Sequence, residues 1–174
     1  MAYKFNLGHA IQRIMRKYGI ERPTAAQWTF ILNRVHVPGL FKNSKVINLD
    51  RLEILSNQYI YNCYLFNQYV TVYGFCKLAN VSRETLYGWI RGKSRKGDLQ
   101  ARRIVQTLKE ERSISIQGGL DDPKKCLGAL ALLRHEFAWT QEKIDDFADM
   151  HGLICTDHQS AKDRYRAVAD SENA

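Results

Sequence analysis

TVYGFCKLANVSRETLYGW, residues Thr71–Trp89, is the stretch whose reading decides the fold. Its first half, Val72 to Ala79, reads as a short helix with Phe75 and Ala79 as core residues, and Cys76 supplies a small side chain where a second helix can touch it. Asn80 tolerates the left-handed backbone that a tight turn demands. Val81 then plugs the core, Ser82 is a good N-cap, and Glu84 falls in the first turn of the next helix, where the helix dipole favours an acid. Leu86 and Trp89 point back inside. The pattern predicts a helix-turn-helix over about Val72 to Ile90, the geometry that presents a second helix to the major groove of DNA.

Arg83, Glu84, Thr85 and Tyr87 remain on or near the outward face of that second helix, and Gly88 allows close approach. Arg can hold guanine bidentately, Glu can accept from cytosine, and Thr or Tyr can donate to phosphate or touch a thymine methyl. Just beyond, Arg91, Lys93, Arg95, Lys96, Arg102 and Arg103 face one acid, Asp98, a net +5 placed to track the phosphate backbone. The candidate DNA-binding set is therefore Ser82, Arg83, Glu84, Thr85, Tyr87, Arg91, Lys93, Arg95 and Lys96. A capped two-helix hairpin also occurs as plain scaffolding in helical proteins. Core spacing, a Ser cap and a basic flank on the correct side together favour sequence-recognising binding of double-stranded DNA.

Outward from the hairpin, apolar residues recur at helical spacing. Leu7, Ala10, Ile11, Ile14 and Met15 form one stripe of a helix over Leu7 to Tyr18, opposite Gln12, Arg13, Arg16 and Lys17, and Gly19 closes it. Thr24 opens a second helix that runs through Trp28, Ile31, Leu32 and Val35 until Val37-Pro38-Gly39 stops it. Asn48 caps a third, carrying Leu49, Leu52, Leu55, Tyr59, Cys63 and Phe66, whose aromatics suggest burial on more than one side. A further helix covers Ala101 to Glu111. A loop at 117–123 leads to an apolar helix with Cys126, Leu127, Leu130, Leu133 and Phe137, and Ile144, Phe147 and Ala148 support another turn or two. No period-2 run is long enough to argue a sheet. The expected fold is all-α, a helix-turn-helix core with additional N- and C-terminal helices. Its expected divisions are an N-terminal helical extension (1–47), the DNA-binding domain (48–112), a C-terminal oligomerisation or partner segment (113–160) and a flexible tail (161–174).

The formal charge of +8 favours an acidic partner, and its distribution sharpens the point. After Trp139 eight acids meet four bases, a net −4, so residues 1–139 carry +12. Cys63, Cys76, Cys126 and Cys155 are scattered, without the spacing of a zinc site or a disulfide framework, and the five histidines fall in no ligand pattern. No metal and no cofactor are expected. The longest apolar runs fall far short of the roughly 20 residues that span a bilayer. The N-terminus lacks a signal-peptide core, so the expected location is the cytoplasm of the host cell, with no membrane partner.

From about Asn48 to Trp139 the chain resembles the terminase small subunit-like DNA-packaging proteins of tailed bacteriophages. A long aromatic helix leads into Thr71–Trp89, similar to that group's "FC…(I/V)S..T…W" hairpin, and Gly128-Ala-Leu-Ala-Leu-Leu-Arg-His-Glu-Phe-Ala-Trp139 resembles its Gly-(apolar)…Leu…aromatic-Gly-Trp ending. Ala138 stands where that pattern usually has Gly, and the first 47 residues have no counterpart. The resemblance implies a non-enzymatic subunit that binds viral DNA, forms a ring or other homo-oligomer, and hands DNA to the terminase large subunit, an ATPase and nuclease. No GxxxxGK[ST] loop is present. The alternative is a helix-turn-helix transcriptional or replication regulator of a phage or mobile element, normally a dimer on a palindrome. A nucleic-acid enzyme built on Asp145, Asp146 and Asp149 is the least favoured reading, because acids along one amphipathic helix usually face solvent.

Overall fold

Local signals at the ends of the helices account for most of the element boundaries. In the computed structural model, residues 5–43, 46–91, 99–120, 122, 125–140, 142–144 and 146 are described. The side-chain oxygen of Asn6 accepts from His9 N–H at 3.0 Å and starts α1 (Leu7–Tyr18), which Gly19 ends in the left-handed conformation at φ 63°. Leu7, Ile11 and Met15 are its buried edge. Thr24 and Gln27 form a reciprocal capping box at the start of α2 (Ala25–Leu32). This helix stops well short of the Val37-Pro38-Gly39 stop expected from the sequence. Val35 is still buried, but from an irregular segment, since two β-branched residues and a following proline weaken the helix there.

A two-stranded antiparallel sheet follows, β1 (Phe41–Asn43) paired with β2 (Val46–Ile47), with Phe41 opposite Ile47. Strands of three and two residues are too short to leave a readable alternation, so the sequence does not announce them. Arg51 Nη1 donates to Gly39 O at 2.6 Å and pins the preceding turn to α3 (Leu49–Leu65), which Asn48 caps. Leu52, Leu55, Tyr59, Ile60 and Cys63 of α3 are buried, and the helix packs against α1 and two later helices, α4 (Val72–Ala79) and α6 (Leu99–Gln117). The expected burial of its aromatics holds for Tyr59 alone of its three tyrosines. Tyr61 and Tyr64 lie exposed at 66% and 45%.

The expected end of the penultimate helix at Glu111 is also corrected: α6 continues to Gln117. The reason is tertiary. Ser115 is buried, its hydroxyl accepting from Val70 N–H at 3.0 Å and donating to Arg112 O at 2.9 Å, while Ile116 is fully buried. A Ser-Ile-Ser-Ile alternation carries no such information by itself.

Among the described residues there are seven helices of eight residues or more, a further helical stretch at 142–144 and 146 that buries Ile144, and this one small sheet, an all-α fold. The chain divides into two compact units, Met1–Gly119 and Leu120–Ala174. In the first, Leu7, Ile11, Trp28 and Leu32 join one core with Leu55, Tyr59, Phe75, Leu86 and Leu108, so the segment read as an N-terminal extension and the segment read as the DNA-binding domain pack together. The expected 113–160 segment is divided at Gly119. Residues 147–174, with Phe147, Ala148, Cys155 and the tail, lie outside the described residues, as do Asp145 and Asp149. No helix among the described residues is long and apolar enough to cross a membrane.

In the second unit, α7 (Cys126–Phe137) buries Ala129 and Leu133, and Ala138 ends it at φ 51°, with Ala138 N–H and Trp139 N–H both donating to Leu133 O. This is the left-handed cap position that glycine normally fills, because a Cβ there costs about 1–2 kcal/mol. Ala138→Gly is therefore expected to stabilise the second unit by about 1 kcal/mol, less the extra freedom it gives the unfolded chain. Amide exchange at Trp139 should slow; unchanged or faster exchange would argue against a left-handed cap.

Candidate nucleic-acid interface

Thr71 caps α4 by accepting Gly74 N–H at 2.9 Å, and Phe75, Cys76, Leu78 and Ala79 are buried. Burial pushes the Cys76 thiol up to about 11, so it is a protonated packing residue at neutral pH. Asn80 takes the left-handed conformation, φ 51° and ψ 46°, as its residue type suggests, and Val81 N–H donates to Cys76 O. Val81 is half-buried against the core. Ser82 then caps α5 (Arg83–Ile90): its hydroxyl accepts from Thr85 N–H at 3.1 Å and lies 3.0 Å from Thr85 Oγ1. Two eight-residue helices thus meet across a three-residue turn, with Leu86 fully buried as the anchor of α5.

The tight approach of α4 to its neighbours is made at Gly74. A Cβ there would sit 2.5 Å from Tyr59 Oη, 2.8 Å from Thr71 Oγ1 and 3.3 Å from a methyl of Leu32. Tyr59 Oη cannot retreat easily, since it donates to Thr71 O at 3.0 Å and accepts from Thr71 N–H at 3.1 Å. The sequence pattern points to Cys76 as the small residue where the two helices of the hairpin touch, and Cys76 is buried; the close approach at Gly74 is a separate one, to Tyr59 of α3 and Leu32 of α2. A glycine inside a helical pattern is the signal that could have found it.

Arg83, Glu84, Thr85 and Arg91 are exposed. The carboxyl of Glu84 is held below the usual carboxylate range, first by its own backbone N–H, then by the Ser82 hydroxyl and, against a little desolvation, by Arg83. An ionised acid therefore sits at the start of α5 across the neutral range. Tyr87 behaves differently from its neighbours. It is half-buried and packed on the core, and the Arg83 guanidinium and the Lys109 ammonium lie over its ring at 5.2 and 5.4 Å. Tyr87 therefore positions two cations at least as much as it offers its own edge.

No protein-family model, curated protein or solved structure matches the chain. The chemistry has to be taken from the residues themselves.

Lys109 comes from α6, which sequence spacing alone does not connect with the hairpin. One flank of α6 serves α3: Gln100 Nε2 donates to Asp50 Oδ1 at 3.0 Å and Glu53 Oε2 at 2.7 Å, and Tyr64 Oη donates to Glu111 Oε2 at 2.6 Å. At 100° per residue, Arg102, Gln106 and Lys109 fall on the opposite flank, beside α5, whereas Arg103 does not. Arg102 and Lys109, two turns apart, therefore extend the charge of Arg83. Lys93, Arg95 and Lys96 lie outside the described residues, and so does the side chain of Trp89. Among the described residues no group of three or more His, Cys, Asp or Glu could hold a metal ion.

Proposed function

We propose that the chain is a sequence-recognising binder of double-stranded DNA in which α5 enters the major groove. One observation carries this reading: Leu86 anchors α5 in the core and Ser82 caps it, while its first turn exposes Arg83, Glu84 and Thr85 beside Lys109 of α6. Exposed donors on a fixed helix read base edges; Arg91, Arg102, Lys109 and the basic residues Lys93, Arg95 and Lys96 hold phosphates. The resemblance of Asn48–Trp139 narrows the proposal to a terminase small subunit-like packaging protein. Such a subunit is non-enzymatic, assembles into a ring or other homo-oligomer, and presents viral DNA to an ATP-driven large subunit in the host cytoplasm.

Selection from a random duplex library tests the base reading. Enrichment of one motif is expected. Arg83→Ala should then lose about 1–3 kcal/mol of preference for that motif over random DNA. Glu84→Ala should tighten binding to random DNA while blurring the motif, since it removes an acid that faces phosphate. A hairpin that is scaffolding only would show no enrichment and no response to either change. Absolute mass by light scattering separates a ring from a dimer on a palindrome.

A further inference from the structure

The basic charge of this protein is not confined to the hairpin and its flank. Residues 1–47 hold eight Lys and Arg against the single acid Glu21, a net +7 in a chain whose total is +8. The fold turns much of that charge outward. α1 buries Leu7, Ile11 and Met15, which leaves Arg13, Arg16 and Lys17 exposed on its other side. Arg34, just past the end of α2, is exposed too, yet it is held in place: its guanidinium lies 3.6 Å from the centre of the Phe30 ring and 5.6 Å from that of Tyr18. Arg34 Nε donates to Tyr18 Oη at 3.4 Å, Tyr18 and Phe30 meet edge to face at 5.0 Å, and the Lys17 ammonium lies 5.6 Å from the Tyr18 ring. A guanidinium laid on an aromatic face keeps its planar donors ordered and available, the state suited to a phosphate.

We propose that this face of α1 and the end of α2, with Arg16, Lys17 and Arg34 as its contact residues, is a second surface for the DNA backbone, alongside the duplex held by α5. The inference rests on reading α5 as the base-reading helix. The two regions are joined through the packing of α2 on α4, where Leu32 meets Gly74, so the basic face begins two residues beyond the first helix of the hairpin's own neighbour. In a helix-turn-helix complex the first helix of the hairpin crosses the phosphate backbone. A membrane surface fits less well, because a helix lying on lipid needs a free apolar face and that of α1 is consumed by the core.

The test uses the full chain and a fluorescein-labelled, random-sequence 40-base-pair duplex, with anisotropy read between about 50 and 200 mM salt, the range in which backbone contacts dominate. The triple variant Arg16→Gln, Lys17→Gln, Arg34→Gln should weaken binding about tenfold or more at 0.1 M salt and lower the salt slope by about one unit for each phosphate no longer neutralised. Its preference for the selected motif should be unchanged, and its circular dichroism should match that of the parent. Arg34→Lys, which keeps the charge and removes the stacked fork, should retain the slope and part of the affinity. An unchanged slope and affinity in the triple variant, with the parent binding normally, overturns the second surface and leaves the α5 reading standing. If the triple variant loses binding while Arg83→Ala changes neither affinity nor motif preference, the surface stands and the α5 reading falls. A parent that does not bind the duplex removes both. Loss of binding to phosphatidylserine vesicles with DNA binding intact would also overturn the proposal.

Discussion

Gly74→Val is expected to cost about 3 kcal/mol and to lower the melting temperature of the first unit by roughly 10 °C. Two effects oppose each other at this position. A glycine inside a helix is about 1 kcal/mol worse than alanine, so on propensity alone any Cβ should help. Here that atom would stand 2.5 Å from Tyr59 Oη and 2.8 Å from Thr71 Oγ1. Tyr59 is fully buried and tied to Thr71 through both backbone groups, so relief would mean breaking those hydrogen bonds or shifting α4 off α3. Overpacking wins, and Gly74→Ala should show the same sign at smaller size. Thermal melts of both variants check this. A stabilised Gly74→Ala would mean that α4 does not approach Tyr59 so closely.

Leu86→Ala should lose about 2–5 kcal/mol, the range for a fully buried leucine, out of a total that for natural domains is about 5–15 kcal/mol. Its functional effect should exceed that of removing any one exposed residue of α5, because Leu86 is what holds the helix at a fixed angle to the body. Chemical denaturation and DNA affinity measured below the unfolding transition separate the effect on stability from the effect on binding. An α5 that keeps its DNA preference without Leu86 would mean that the helix is positioned by something else.

What can be read from the sequence is local. Asn6, Thr24, Asn48, Thr71 and Ser82 cap their helices through hydrogen bonds three residues away, and Asn80 declares its turn by residue type. These signals span one turn of chain, so one sequence suffices. What escapes it is long-range. Lys109 reaches Tyr87 across 22 positions, and Ser115 extends α6 because Val70 lies against it from 45 positions away. The concentration of charge in residues 1–47 is visible as composition, but that Arg34 is laid on Phe30 and Tyr18 depends on where α1 and α2 meet.

The attachment of α1 has a consequence for synthesis. Gln58 on α3 accepts Leu7 N–H through its side-chain oxygen and donates to Phe5 O through its nitrogen, so the first turn of α1 is clasped by a residue about fifty positions later. At about 5–20 residues per second, a ribosome needs several seconds to make that stretch. Until α3 follows, the edge formed by Leu7, Ile11 and Met15 has α2 beside it but lacks α3, the other helix it packs against. During that interval the nascent chain is most exposed to wrong association at α1. A chaperone that binds short apolar helices would find its target before the tunnel has released α3.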